Sequence, residues 1–191
     1  MWCIQQITEE YKKRMYCLLE LYKKPYNPKH PLVCEYKRKG TCNIFMAIEP
    51  KGGTRVIKVT DTRTKKDFAD FIEDLVMRHF TKADYIQLVL DNLNTHFEGS
   101  LFETFGKRKA NELLKKIRFI HTPKHASWLN MAEIEINIMD RQCTGGRIES
   151  KERLETDVQI WSKIRNDNEC KIEWNFTRQD ADKKLSKHYV S

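Results

Sequence analysis

Two acidic residues of this sequence are well placed to do chemistry. Asp91 directly follows the segment Gln-Leu-Val-Leu at 87–90, whose short, uncharged and partly β-branched character predicts a central strand that is buried on both faces of its sheet. Glu133 lies further along the chain, near the start of a predicted helix. In open α/β sheets, reacting groups collect at the carboxyl ends of strands. Carboxylates at such positions, on a basic protein, predict metal-dependent chemistry on a phosphodiester.

Each acid also has an ordinary structural interpretation. Asp91 is followed by Asn92, and both residue types commonly form the turn after a strand. Glu133 belongs to a helix with a predicted apolar side, and a glutamate on another side of such a helix is commonly a solvated charge. We predict that the neighbouring Glu135 is such a solvated charge. The apolar side of this helix is predicted to contain Met131, Ile134 and Ile138.

Five segments, spread over nearly the whole chain, carry a resemblance to a known family. They are Glu-Tyr-Lys-Arg-Lys-Gly-Thr at 35–41, Val-Thr-Asp-Thr-Arg-Thr-Lys at 59–65, Leu-Asp-Asn-Leu-Asn-Thr-His at 90–96, Thr-Pro-Lys-His-Ala-Ser-Trp-Leu-Asn-Met-Ala-Glu at 122–133 and Trp-Asn-Phe-Thr at 174–177. In these segments the sequence resembles the catalytic domain of DDE-type transposases of bacterial insertion sequences, the prokaryotic branch of the mariner superfamily.

The resemblance implies a fold and a reaction. The expected fold is α/β and RNase H-like, a mixed sheet of the retroviral integrase type flanked by helices. Asp91 is similar to the second catalytic carboxylate of the family and Glu133 to the third, and both are implied metal ligands. The implied reaction is DNA strand cleavage and transfer with two Mg²⁺ or Mn²⁺ ions, which prefer such oxygen ligands.

The sequence departs from the family at the first catalytic Asp. The opening strand is expected at 31–34, and the family carries its Asp two residues beyond Cys34. Here the motif beginning with Glu35 follows Cys34 immediately, so the Asp is missing. Side chains of a strand alternate between its two faces, so Glu35 can substitute only if a one-residue slip or a bulge turns it over. We therefore expect a truncated catalytic domain whose ions are bound weakly or not at all.

Two functions follow from these observations. One is a transposase-family protein that is impaired or inactive because of the missing Asp. The other is a non-catalytic DNA-binding or self-associating remnant. The chain has 35 basic and 27 acidic residues, a net charge of +8, which suits a polyanion. A solvated surface is the alternative explanation of its basic clusters. The candidate DNA contacts are Lys107, Arg108, Lys109, Lys115, Lys116, Lys124 and His125.

Composition bounds the location and the organisation of the protein. The six cysteines form no C-x-x-C pair, which predicts reduced thiols in a cytosolic protein. The resemblance to transposases of bacterial insertion sequences implies a bacterial cytoplasm and association with the nucleoid. No apolar stretch approaches the ~20 residues that span a membrane, and no small-molecule cofactor is expected. A homodimer is one expected form.

We expect one domain over 1–191, without the N-terminal helix-turn-helix region of complete transposases. It would comprise a helical lead-in at 1–30, a core at 31–145 and a helical extension at 146–191. Thr64 and Asp67 predict a capping box at the start of a helix. The other predicted helices are at 6–22, 101–116 and 151–165, and the other predicted strands are at 32–36, 42–48, 54–60 and 117–120.

Overall fold

The computed structural model describes residues 2–6, 17–19, 36–38, 40–123, 130–146, 148–175, 177, 179–180 and 182–183. Seven strands lie within these ranges: β1 Trp2–Gln6, β2 Cys17–Leu19, β3 Tyr36–Arg38, β4 Asn43–Glu49, β5 Thr54–Thr60, β6 Ile86–Leu90 and β7 Ile117–His121. The main helices are α1 Lys65–Asp74, α2 Glu98–Leu114, α3 Ala132–Met139 and α4 Lys151–Asp167. Two π-helical turns, Leu75–His79 and Asp140–Thr144, extend α1 and α3.

Five of the strands form one mixed sheet in the order β5-β4-β1-β6-β7. β4 pairs antiparallel with both β5 and β1, while β1, β6 and β7 run parallel. The parallel strands end at the same edge of the sheet, so the loop after β6 is a natural position for a functional site. This order and these directions match the RNase H-like sheet predicted from the sequence. The strands β2 and β3 form a separate two-stranded sheet.

The strand beside β6 comes from the first residues of the chain. Ile4 of β1 pairs in parallel with Leu90 of β6 and antiparallel with Ala47 of β4. Because this strand lies between two others, its backbone donors and acceptors are satisfied on both sides. The opening strand predicted at 31–34, and Glu35 after it, lie outside the described residues.

The helical lead-in predicted for 1–30 is wrong where the structure describes it. Residues 2–6 and 17–19 are strands, so the helix predicted over 6–22 does not extend through Cys17–Leu19. Pairing between strands outweighs the local helical preference of this segment, because β2 gains backbone hydrogen bonds from β3. The remainder of that predicted helix lies outside the described ranges.

Most later elements agree with the sequence. Thr64 Oγ1 accepts a hydrogen bond from the Asp67 amide at 3.2 Å, and Asp67 Oδ2 accepts one from the Thr64 amide at 2.7 Å, so the predicted capping box is confirmed. α2 contains Gly106 with φ of 74°, a conformation that glycine adopts without the penalty of a Cβ. This kink divides α2 into two helical segments.

The sheet is covered by helices on both faces. Successive residues of β4 alternate between two apolar clusters, as strand geometry requires. Phe45 and Ala47 join the cluster with α1 and α2, while Ile44 and Met46 join the one with α3 and α4. In β6, Leu88 and Leu90 are buried, but Gln87 is exposed. The prediction that β6 is buried on both faces therefore holds for only part of the strand.

Cysteines with described side chains are Cys42, Cys143 and Cys170, and all three are free thiols. Burial, with a further contribution from Asp157, raises the pKa of the Cys143 thiol to about 11. A raised pKa favours the protonated thiol over the nucleophilic thiolate at neutral pH. No helix in the described ranges is both long and apolar enough to cross a membrane.

Candidate active site at the end of β6

Asp91 lies directly after β6, at the sheet edge where the parallel strands end. Its Oδ1 atom is 2.7 Å from Nδ1 of His96. The same oxygen is 3.4 Å from the amide nitrogen of Leu93, which is long for a hydrogen bond. The main contact of Asp91 is therefore with an imidazole ring, and turn capping is a minor role.

The loop that carries Asp91 is tied to the end of β7. Asn92 Nδ2 donates to the carbonyl of Thr122 at 2.5 Å. On the other side of the loop, His121 Nε2 lies 2.8 Å from the carbonyl oxygen of His96 and its ring stacks on Phe97 at 4.8 Å. These contacts fix the loop at both ends, so the acid is held on a rigid support, as metal chemistry requires.

Glu133 lies in the first turn of α3 and is half-buried. The residue before it, Ala132, forms a small apolar cluster with Ile48, and Val89 of β6 packs against this cluster. Val89 is two residues before Asp91. The cluster thus brings the start of α3 to the end of β6, as the proposed pairing of Asp91 and Glu133 requires.

The prediction that Glu135 is a solvated charge is wrong. Glu135 is fully buried, and the buried residues of α3 are Ala132, Glu135, Ile136 and Met139. The face predicted from Met131, Ile134 and Ile138 is only half-buried. The sequence contained a signal, because Ala132, Ile136 and Met139 recur at i, i+4 and i+7 and Glu135 lies on the same stripe.

Two arginines neutralise the buried carboxylate of Glu135. Arg165 of α4 donates from Nε to Oε1 at 2.5 Å and from Nη2 to Oε2 at 3.2 Å. Arg55 of β5 donates from Nε to Oε1, and its Nη1 and Nη2 donate to the carbonyls of Gly53 and Cys170. This network is not predicted by the local sequence pattern. It fastens α3, which carries Glu133, to the edge of the sheet and to α4.

The ligand atoms are of the type that a divalent cation prefers, but there are too few of them. Asp91 and Glu133 supply the carboxylate oxygens that Mg²⁺ and Mn²⁺ prefer. Across the described ranges, however, no three His, Cys, Asp or Glu side chains are grouped so as to hold a metal ion. The last pair between β1 and β6 is Ile4–Leu90, and the next residues along the two chains are Gln5 in β1 and Asp91 after β6. The segment Trp2–Gln6 contains no acid.

The basic residues singled out from the sequence differ in their surroundings. Lys107, Arg108 and Lys115 are exposed, and Lys116 is half-buried. Lys109 forms an ion pair with Glu73 at 2.5 Å, and its Nζ lies 4.2 Å from the centre of the Phe105 ring. Lys124 and His125 lie outside the described residues. The structure thus leaves three of the candidate DNA contacts open to a ligand.

Comparisons with known proteins agree with this arrangement. A family model described as DDE superfamily endonuclease matches residues 22–155. Among solved structures, 23 chains match, including that of the Mos1 strand transfer complex. That likeness has a TM-score of 0.51 and 10% sequence identity, and it covers 88% of this chain and 49% of the other. At this identity it shows the fold alone. No curated protein matches.

The chain spans about half the length of the Mos1 chain. The similarity confirms the predicted α/β, RNase H-like fold, and the family model confirms the resemblance to DDE-type transposases. The matched residues make up more than half of the sequence and include both Asp91 and Glu133. The protein therefore belongs to the family of DDE superfamily endonucleases.

Proposed function

We propose that this protein is a transposase-family catalytic domain whose DNA strand cleavage and transfer are impaired by the missing first Asp. One observation carries the proposal: the strand paired with β6 beside Asp91 contains no acid. Asp91 and Glu133 would hold the metal. When bound, a divalent ion activates the attacking oxygen and stabilises the leaving oxygen. With two acids in place of three, the ions would be poorly fixed and would repel each other.

The protein's own residues have two further tasks in this proposal. The contacts of Asn92 and His96 hold the Asp91 loop against the end of β7, so that the acid does not have to be ordered when a ligand arrives. The buried ion pairs of Glu135 hold α3 in place, and α3 carries Glu133. The contacts that position Asp91 and Glu133 are therefore present, while one of the three acidic ligands is missing.

Nicking of supercoiled plasmid with Mg²⁺ or Mn²⁺ tests the proposal. The wild type is compared with Asp91→Asn, Glu133→Gln and Glu35→Gln, and we expect it to nick no faster than Asp91→Asn. The same assay is applied to Gln5→Asp, with Gln5→Asn as the uncharged control. Because Gln5 follows Ile4 as Asp91 follows its partner Leu90, a third acid there is expected to raise nicking about tenfold or more, corresponding to ~1.4 kcal/mol of barrier. The proposal would be contradicted if the wild type nicks and Asp91→Asn, Glu133→Gln and Glu35→Gln all abolish nicking. That result would identify Glu35 as the third ligand.

A second candidate function, DNA binding without cleavage, is favoured by the exposed side chains of Lys107, Arg108 and Lys115. Neutralisation of phosphates releases counterions, so affinity should fall steeply with salt. We expect Lys107→Gln combined with Arg108→Gln to weaken binding to duplexes of any sequence. It should also reduce the slope of log affinity against log salt by about 1 for each phosphate that is no longer neutralised.

Fluorescence anisotropy between about 50 and 200 mM salt would measure this change. The control is Lys51→Gln, an exposed lysine at the β4–β5 turn, which should leave the slope unchanged. An equal loss of affinity in the control and the double variant would count against a defined binding surface.

The proposal also includes a bacterial cytoplasmic, nucleoid-associated location, because the substrate DNA is there, and an assembly as a homodimer.

A further inference from the structure

Phe97 is an exposed aromatic residue in the loop that carries Asp91. It directly follows His96, whose ring contacts Asp91, and it is 41% exposed. Phe97 belongs to none of the apolar clusters among the described residues, whereas Phe102 and Phe105 of the helix that follows pack against the core. Burial in the core therefore does not explain this phenylalanine.

The position of Phe97 at the start of α2 is unusual for its residue type. Phe97 is the N-cap of this helix, and its side chain makes no capping hydrogen bond. Residues with a side-chain oxygen are preferred at an N-cap because they accept a hydrogen bond from the first amides of the helix. In this chain, Thr64 and Ser150 cap α1 and α4 in that way. A residue that breaks a local preference and gains no core packing is typical of a functional position.

The ring of Phe97 is held in one orientation by a second ring. It stacks on His121 at the end of β7, with ring centres 4.8 Å apart and an angle of 19° between the planes. Nε2 of His121 is in turn 2.8 Å from the carbonyl oxygen of His96. One face of the Phe97 ring is thus covered and fixed. The exposed part of the ring can bind a planar group without first being ordered.

An unpaired nucleobase is the ligand that fits this arrangement. Aromatic side chains together with basic residues form the usual platform for single-stranded nucleic acid, because every base has a π face that can stack. The exposed Lys107 and Arg108 of the same helix supply positive charge for the phosphates of a strand. A base within a duplex is already stacked on both faces, so only an unpaired or displaced base reaches a side chain.

We propose that Phe97 stacks on an unpaired base of a DNA strand that lies next to the Asp91 loop. The inference rests on the proposed DNA binding and deepens it, because it names an unpaired base as the group bound at this loop. Removing such a ring is expected to weaken binding about 5–150-fold, which corresponds to ~1–3 kcal/mol per stacked base.

Four variants separate stacking from a structural role of the ring. Phe97→Ala should weaken binding of a single-stranded oligonucleotide by about 5–150-fold, while Phe97→Trp keeps an aromatic face and should retain the affinity. Phe97→Ser should bind as weakly as Phe97→Ala, but its midpoint of thermal unfolding should not fall, because serine is a preferred N-cap. The control is Tyr85→Ala. Tyr85 is 49% exposed just before β6, at the opposite end of that strand from Asp91, and its loss should leave the affinity unchanged.

Fluorescence anisotropy of the full chain, without added metal, measures binding of a labelled single strand and of the matching duplex. The loss of affinity in Phe97→Ala should be larger for the single strand than for the duplex. Photocrosslinking gives a direct readout of the contact. A single strand that contains 5-iodouracil is irradiated in complex with the wild type, and the crosslinked peptide is expected to contain Phe97.

The outcomes distinguish failure of this inference from failure of the proposed function. Equal single-strand affinity of the wild type and Phe97→Ala would overturn the role of Phe97 and leave the proposed DNA binding intact. An equal loss for single strand and duplex, or a lowered unfolding midpoint in Phe97→Ser, would also overturn stacking. If the wild type binds neither form of DNA, the proposed DNA binding fails, and the assignment of Phe97 fails with it.

Discussion

Replacing Glu135 by alanine is expected to lower the free energy of unfolding by about 3–5 kcal/mol, the usual cost of removing one partner of a buried ion pair. Arg55 is 2% exposed and would lose the carboxylate that compensates its charge. Two carbonyl acceptors, of Gly53 and Cys170, would remain. They accept from Nη1 and Nη2, but Nε would lose its acceptor and the charge would not be neutralised. Urea denaturation followed by circular dichroism would measure the change.

Two controls locate the origin of this effect. Glu112→Ala removes an exposed glutamate from α2 and should change stability by less than about 0.5 kcal/mol. Glu135→Gln keeps the volume and a hydrogen-bond acceptor but removes the charge, so its cost should fall between those of the two alanine variants. A loss of stability below about 1 kcal/mol in Glu135→Ala would mean that solvent reaches the arginines, and that α3 is not fastened by this network.

Truncating Phe68 to alanine is expected to lower the free energy of unfolding by a similar amount, about 3–5 kcal/mol. The ring is completely buried in α1 and packs against two other rings, with centres 4.8 Å from His96 and 5.9 Å from Phe119. Its removal would leave a cavity beneath the loop of Asp91. The variant should therefore also weaken the 2.7 Å contact between His96 Nδ1 and Asp91 Oδ1, because the imidazole ring would no longer be held by stacking.

Ile164→Ala is the matched control for an apolar truncation. Ile164 is 55% exposed on α4, so its truncation removes little buried surface and should cost less than about 1 kcal/mol. If Phe68→Ala proved as mild as Ile164→Ala, the cluster under the loop would be loosely packed. Asp91 would then lack a rigid support.

The sequence predicted those elements whose local and long-range preferences agree. The alternating apolar residues of β4 and β5, the Thr64–Asp67 capping box and the helix near 151–165 were all found close to their observed bounds. Asp91 was placed correctly at the end of β6, because a short apolar strand followed by polar residues has few other interpretations.

The predictions that failed concern pairing over long distances along the chain. Nothing local in Trp2–Gln6 indicates that it lies between β4 and β6, since that position depends on partners that are distant in the sequence. Glu135 was misassigned for the same reason, because the two arginines that make its burial possible belong to β5 and α4. A charged residue is expected to be exposed until its partners are known.

The number of Mn²⁺ ions that the protein binds is the measurement that most directly tests the central claim, an incomplete metal site of two acids. Free Mn²⁺ is titrated by electron paramagnetic resonance against wild type and Asp91→Asn. We expect at most one weakly bound ion in the wild type and none in Asp91→Asn, because the third acidic ligand is missing from the site. Two tightly bound ions in the wild type would show that the site is complete and would contradict this account.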